Sequence, residues 1–280
     1  MAVNSDAIVD ATWVRAHLDD PQVVFVHAGT ERAEYEAGHL PGAVWAHGYD
    51  DLTVDRAGIR ALVPLPHELE ATLGRFGVDE TKTVVFTASG KSMWPHRGYW
   101  VLRYYRFPRV HIADRSVAAL AREGIALTTE EPRVTTRTCR VGEADPAVMA
   151  TWVDVLAVAH GSDGARVLDC RTDDEFEGRP GAHAAARLGR IPRAVHLNWE
   201  LLVDADGRFL PLDRLRSLYA AAGIDGSQPV YPYCGGGIRS SVSWFAMHEL
   251  LGWEQARNYD GSWAEWSVRT DLPVEVGEGS

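Results

Sequence analysis

The chain has 280 residues, 46% of them hydrophobic and 24% charged, which suits one large or two ordinary globular domains with a well-filled core. Its 28 Lys and Arg against 39 Asp and Glu give a formal charge of −11, which argues against nucleic-acid and anionic-membrane partners, whose binding needs a basic stripe. A local basic pocket for a small anion stays compatible with that balance.

The opening MAVNSDAIVDATW has neither the charged nor the apolar region of a secretory signal, and no later run nears the roughly 18 apolar residues of a membrane helix. In PQVVFVHAGTERAEYEAGHLPGAV, residues 21–44, a β-rich apolar run leads through a polar turn to an acidic stretch with an aromatic. A helical pattern, PHELEATLGRFGV, is closed by Gly and followed by the strand-like TVVFTASG, residues 83–90. His96 and Arg97 just beyond are expected at ordinary surface positions, as these residue types mostly are, with reach into a cleft as the alternative. FPRVHIADRS, residues 107–116, completes this half.

Residues 127–146, polar and rich in Thr, read as a linker. After it the pattern returns. ARVLDCRTDDEFEG and LGRIPRAV, within 165–195, repeat the run at 21–44, and LDRLRSLYAAAGI repeats the Gly-closed helix. PVYPYCGG at 229–236 matches TVVFTASG, and WEQARNYDGS matches FPRVHIADRS, with Asp114 opposite Asp260 and Ser116 opposite Ser262. Short β-branched strands alternating with helices predict a parallel sheet covered on both faces. The expected architecture is two tandem α/β domains, residues 1–126 and 147–280, each a mostly parallel sheet flanked by helices on both faces.

The two copies diverge at one loop. In YPYCGGGIRSS a buried strand ends at Cys234 and a helix begins near Arg239, so the cysteine sits at the carboxyl end of a parallel strand, where open α/β sheets place ligands. A helix N-terminus offers unpaired N–H groups and partial positive charge, and glycines let successive amides close around an anion. Gly235, Gly236 and Gly237 are therefore expected to leave bare backbone around a thiolate of lowered pKa at Cys234, with Ile238, Arg239 and Ser240 completing the cradle. Ser240 either donates to the sulfur or caps the helix; Arg239 either flanks the entrance or turns into an ion pair. The first copy reads ASGKSM, with Ala88 opposite Cys234 and Met93 opposite Arg239, so it lacks the nucleophile and is expected to be structural, with a wall of the cleft as a further role.

Taken together, GHLPGAV and GRIPRAV, VLDCR, YCGGGIRSS and NYDGSWAEW resemble the rhodanese family of thiosulfate and 3-mercaptopyruvate sulfurtransferases over nearly the whole chain. The resemblance implies a sulfurtransferase in which Cys234 takes a sulfane sulfur as a persulfide and yields it to a thiophilic acceptor such as cyanide or a thiol. It implies no cofactor and no metal. The family's cysteine phosphatases carry C-x5-R; here Cys234 to Arg239 is C-x4-R, one residue short, which favours sulfur over phosphate. A persulfide carrier that docks to a protein acceptor is the other alternative.

The donors are anions, which arginine binds through its fork of donors. The resemblance places Arg171 near the loop, with Asp169 as its local partner and a structural ion pair as the competing role. A second substrate arginine is expected among Arg179, Arg187 and Arg190, with Arg187 favoured. Glu175 stands where some members are basic. The loop lacks the Arg-Lys pair of classical thiosulfate enzymes and only half resembles the Gly-Ser-Gly of mercaptopyruvate enzymes; Arg239 followed by Ser-Ser inclines the reading to thiosulfate. Cys139, Cys170 and Cys234, odd in number and widely spaced, suit a reducing cytoplasm, and Cys170 is expected as a packed strand cysteine rather than a resolving thiol. Trp199, Trp263 and Trp266 are expected in the core or the cleft wall.

Overall fold

The computed structural model describes residues 5–162, 164–182 and 185–277. Its strands in chain order are β1 (Ile8–Val9), β2 (Val23–Gly29), β3 (Val44–His47), β4 (Val54–Arg56), β5 (Ile59–Leu62), β6 (Thr83–Thr87), β7 (Val110–Ala113), β8 (Met149–Ala150), β9 (Arg166–Asp169), β10 (Val195–His196), β11 (Val230–Tyr233) and β12 (Asn258–Tyr259). The first half holds a five-stranded sheet in the order β1-β7-β6-β2-β3, parallel throughout. Apolar residues on both faces of β2 and β6 explain why: each strand is covered by helices above and below.

The second half repeats the order. β10-β9-β11 form one parallel ladder and β12-β8 another. A parallel bridge from Val230 to Ala256 joins them into the same five-strand succession. The expected tandem α/β fold is therefore present, and the Gly-closed helices appear as Pro66–Arg75 and Leu212–Ala221, ended by left-handed Gly77 (φ 76°) and Gly223 (φ 75°). Residues 130–145 have no regular structure but lie along the first half, where Arg137 pairs with Asp79 and Arg140 with Glu70. Among the described residues no helix is long and apolar enough to cross a membrane.

The halves share one core. The helix after β6, Trp94–Tyr104, meets its counterpart after β11, Arg239–Phe245, through Tyr99 edge-on to Phe245 (4.8 Å between ring centres). Phe209 stacks on Phe245 at 5.6 Å, and His96 meets both rings edge-on. Buried side chains from both halves, among them Phe86, Trp100, Leu168, Val242 and Trp244, belong to the same continuous cluster. A two-strand hairpin, β4 with β5, reaches from the first half over the second.

Candidate active site

Cys234 follows β11 directly and lies on the floor of a cavity of about 200 Å³ between the halves. The first half supplies Tyr49, Arg60, Ala61 and Met93 to the walls; the second supplies Gly235, Gly236, Ile238, Arg239, Trp263 and Val268. Cys234 itself is only 1% exposed, so a ligand reaches it through the cavity rather than from open solvent. The degenerate copy thus forms one wall, with Met93 opposite its counterpart Arg239.

The loop is held by a hydroxyl. Ser262 Oγ accepts the N–H of Cys234 (3.0 Å) and of Gly237 (2.9 Å) while donating to the Tyr259 carbonyl (2.8 Å). Ser262 adopts φ 50°, a strain of about 1–3 kcal/mol for a residue with a Cβ, which its three hydrogen bonds hold in place. The repeat marked Ser262 without a role; its opposite number, Ser116, merely caps a helix through the Ala119 N–H. The cradle is accordingly smaller than a full ring of amides. The N–H groups of Gly236 and Ser240 face the sulfur, joined by the Ser240 hydroxyl, which donates to Sγ at 3.6 Å.

Two of the glycines also meet a packing constraint that the sequence did not suggest. A Cβ on Gly237 would lie 2.6 Å from the Asp260 carbonyl oxygen, and its φ of 72° is left-handed. A Cβ on Gly236 would come within 3.0 Å of the Ala61 methyl group. Bare backbone at these two positions therefore lets the loop press against Asp260 and against the hairpin.

Burial opposes charge on Cys234. The Arg239 guanidinium, the Ser240 N–H and hydroxyl and the Gly236 N–H outweigh it and hold the thiol below its ordinary value of 9.0. Arg239 does both things foreseen for it: it lines the cavity and forms a two-pronged pair with Glu175 (2.6 and 2.8 Å). Glu175 also caps its own short helix by accepting from Thr172. Burial pushes the Glu175 carboxyl up, but Arg239 and the Thr172 N–H override it and bring it from 4.5 to about 2. A carboxylate lowered on folding stabilises above its unfolded pKa and loses that contribution as pH falls toward the folded one. The fold should therefore weaken between pH 4.5 and about 2, and Glu175→Gln should flatten that part of a stability-against-pH curve measured by denaturant titration. An unchanged slope would remove Glu175 from the account.

Three expectations for basic residues need correction. Arg171, foreseen as a substrate ligand, is 1% exposed; it pairs with Asp169 (2.6 Å), donates to the Gly189 carbonyl (2.8 Å) and lies under the Trp263 ring. The competing structural role is the one its surroundings fit. Arg187 donates to the carbonyls of Ser267, Leu272, Trp266 and Arg269, fastening the C-terminal segment, and is not among the residues lining the cavity. The other candidates are also engaged: Arg179 with Asp174 and Glu177, Arg190 with Glu275. His96 and Arg97, expected at the surface, are 4% and 0% exposed. Arg97 donates to Asp260 (2.7 Å), to the Ala61 carbonyl (3.1 Å) and to the Gly237 carbonyl (3.4 Å), so the first half grips the loop of the second.

Cys170 is fully buried in the core, where loss of solvent pushes its thiol well up; Cys139 is likewise buried and pushed up to about 12. Trp263 lines the cavity, and Trp199 and Trp266 are packed inside. Among the described residues no group of three or more His, Cys, Asp or Glu is placed to hold a metal ion.

The Rhodanese-like domain family matches residues 10–123 and again 153–269. The chain belongs to the rhodanese family. This tandem rhodanese is 33% identical, over 97% of both chains, to a Haloferax volcanii protein named "Putative thiosulfate sulfurtransferase". It is 31% identical, over 98% of both, to the "Sulfur carrier protein TtuD" of Thermus thermophilus. The solved structure of SseA from Escherichia coli, described with the fold and mechanism of 3-mercaptopyruvate sulfotransferases, superposes with a TM-score of 0.80 at 25% identity, covering 92% of this rhodanese and 99% of SseA.

Proposed function

We propose that this rhodanese is a sulfurtransferase that moves a sulfane sulfur from a small anionic donor, thiosulfate before 3-mercaptopyruvate, to a thiophilic acceptor through Cys234. The observation that carries the reading is a thiol of lowered pKa at the floor of the inter-domain cavity, flanked by Arg239 and the Ser240 hydroxyl. In the first step the Cys234 thiolate attacks the outer sulfur of thiosulfate, the sulfur–sulfur bond breaks, and sulfite leaves with the electron pair. The persulfide anion that remains is the larger anion, and the Gly236 and Ser240 N–H groups stabilise it. In the second step cyanide or a thiolate attacks the terminal sulfur, thiocyanate or a new persulfide departs, and the Cys234 thiolate is regenerated. Relatives named for thiosulfate support the order of donors.

Intact mass after mixing with each donor tests this. The wild type should gain one sulfur, about 32 Da, and lose it to cyanide; Cys234→Ser should gain none. No gain from either donor, or a gain that survives Cys234→Ser, overturns the reading. The relative named as a sulfur carrier favours a second reading, in which a protein receives the sulfur; a chain that loads once but turns over poorly with cyanide and small thiols would select it. Three unpaired cysteines support a reducing compartment, the cytoplasm.

A further inference from the structure

The buried arginines around the loop are each matched by a carboxylate: Arg239 by Glu175, Arg171 by Asp169, Arg97 by Asp260. Such pairs carry no net charge and their guanidinium forks are occupied, so they draw in a distant anion weakly, although Arg239 acts on the adjacent Cys234 sulfur. Among the described residues the cavity wall has one further cation, Arg60, and it comes from the half that lacks the cysteine. Its side chain is 73% exposed, and its contact with Asp55 is long, 3.9 Å, between two solvated groups, a pairing of little strength.

The hairpin that bears Arg60 is built to hold it there. Ala57 (φ 55°) and Gly58 (φ 78°) form a two-residue left-handed turn between β4 and β5. Ala61 is left-handed as well (φ 60°), its N–H donating to Asp55 and its carbonyl accepting from Arg97. The Ala61 methyl abuts Gly236, and the Val63 N–H donates to Asp260 at 2.8 Å. The backbone just after Arg60 thus packs on Gly236 and bonds to Asp260, which places residue 60 at the cavity while its charged end stays exposed.

We propose that Arg60 recognises the anionic group of the molecule whose sulfur reacts at Cys234, so that substrate selection is made by the first domain. The ligand class is a small anion bearing its reactive sulfur within a few bonds of the charge, whether a thiosulfate sulfonate or a mercapto-acid carboxylate. The identity of the ligand rests on the sulfur-transfer reading; the electrostatic role does not.

Alkylation of Cys234 separates the two. Iodoacetate carries a carboxylate and iodoacetamide does not. In Arg60→Ala the iodoacetate rate at low salt should fall by about fivefold, the effect of one unit charge about 4 Å away with the screening of water, as fits a side chain this exposed. The iodoacetamide rate should hold, and Arg60→Glu should lower the ratio further. The difference should shrink as salt rises toward 1 M, where charges are screened within about 3 Å. An iodoacetate-to-iodoacetamide ratio unchanged in both variants overturns the proposal. In parallel, the donor concentration that half-loads Cys234 should rise for thiosulfate and 3-mercaptopyruvate; a rise for one alone identifies which anion Arg60 holds. If the alkylation ratio moves but the wild type takes sulfur from neither donor, the anion site stands and the sulfur-transfer reading falls. If the wild type loads and the ratio does not move, the reading stands and the role of Arg60 falls.

Discussion

Replacing Arg97 by Met should destabilise the protein by about 3–5 kcal/mol, because Asp260 would keep its charge in the interior with no counterion. For a chain of this size that is a fall in Tm on the order of 10 °C. Arg97 is wholly buried, and its contacts to Asp260, Ala61 and Gly237 join residues from opposite ends of the sequence. Asp260 in turn accepts the Val63 N–H, so one buried pair ties helix, hairpin and loop together. Adding Asp260→Asn to Arg97→Met should recover part of the loss, since the stranded charge is gone. A single variant that melts with the wild type would show that the pair does not hold the halves.

Replacing Arg239 by Met should raise the pKa of the Cys234 thiol. Burial is the largest influence on this group and raises its pKa; Arg239 is the first of the opposing influences. With the guanidinium gone, burial is opposed only by the Ser240 and Gly236 groups, and the thiolate fraction at neutral pH should fall by about tenfold for each unit of upward shift. The pH dependence of iodoacetamide alkylation reads this directly. Because the single variant strands Glu175, the pair Arg239→Met with Glu175→Gln provides a second reading free of a buried unpaired carboxylate, and it should shift in the same direction. A profile that stays where the wild type lies would transfer the effect to the amides and the Ser240 hydroxyl.

The fold was legible because the chain repeats itself. Two copies of one strand–helix pattern, with Asp114 and Ser116 answering Asp260 and Ser262, predicted two like sheets, and two like sheets formed. Cys234 was legible from local grammar, a strand end followed by glycines and a helix. What escaped was non-local. Arg97 was expected at the surface because arginines mostly lie there; the partner that lets it be buried lies 163 residues on. A signal was present all the same in the aromatics of WPHRGYWVLRY, a helix buried at every residue but Arg103. Arg171 and Arg187 have the right chemistry for an anion, but Asp169 and four carbonyls occupy them, and no spacing rule reports a carbonyl. Glu175 looked like a lost cation until the fold brought Arg239 against it. Arg60 drew no notice because an arginine beside a glycine turn is ordinary until the hairpin is seen lying over Gly236.

The shared core has an evolutionary consequence. A duplicated unit that has lost its nucleophile would normally be free to decay or to be deleted, yet here the aromatic seam between Tyr99, Phe209 and Phe245 makes each half the other's missing layer. Separating the halves would uncover this seam on both fragments, so neither half would keep a fully covered core by itself.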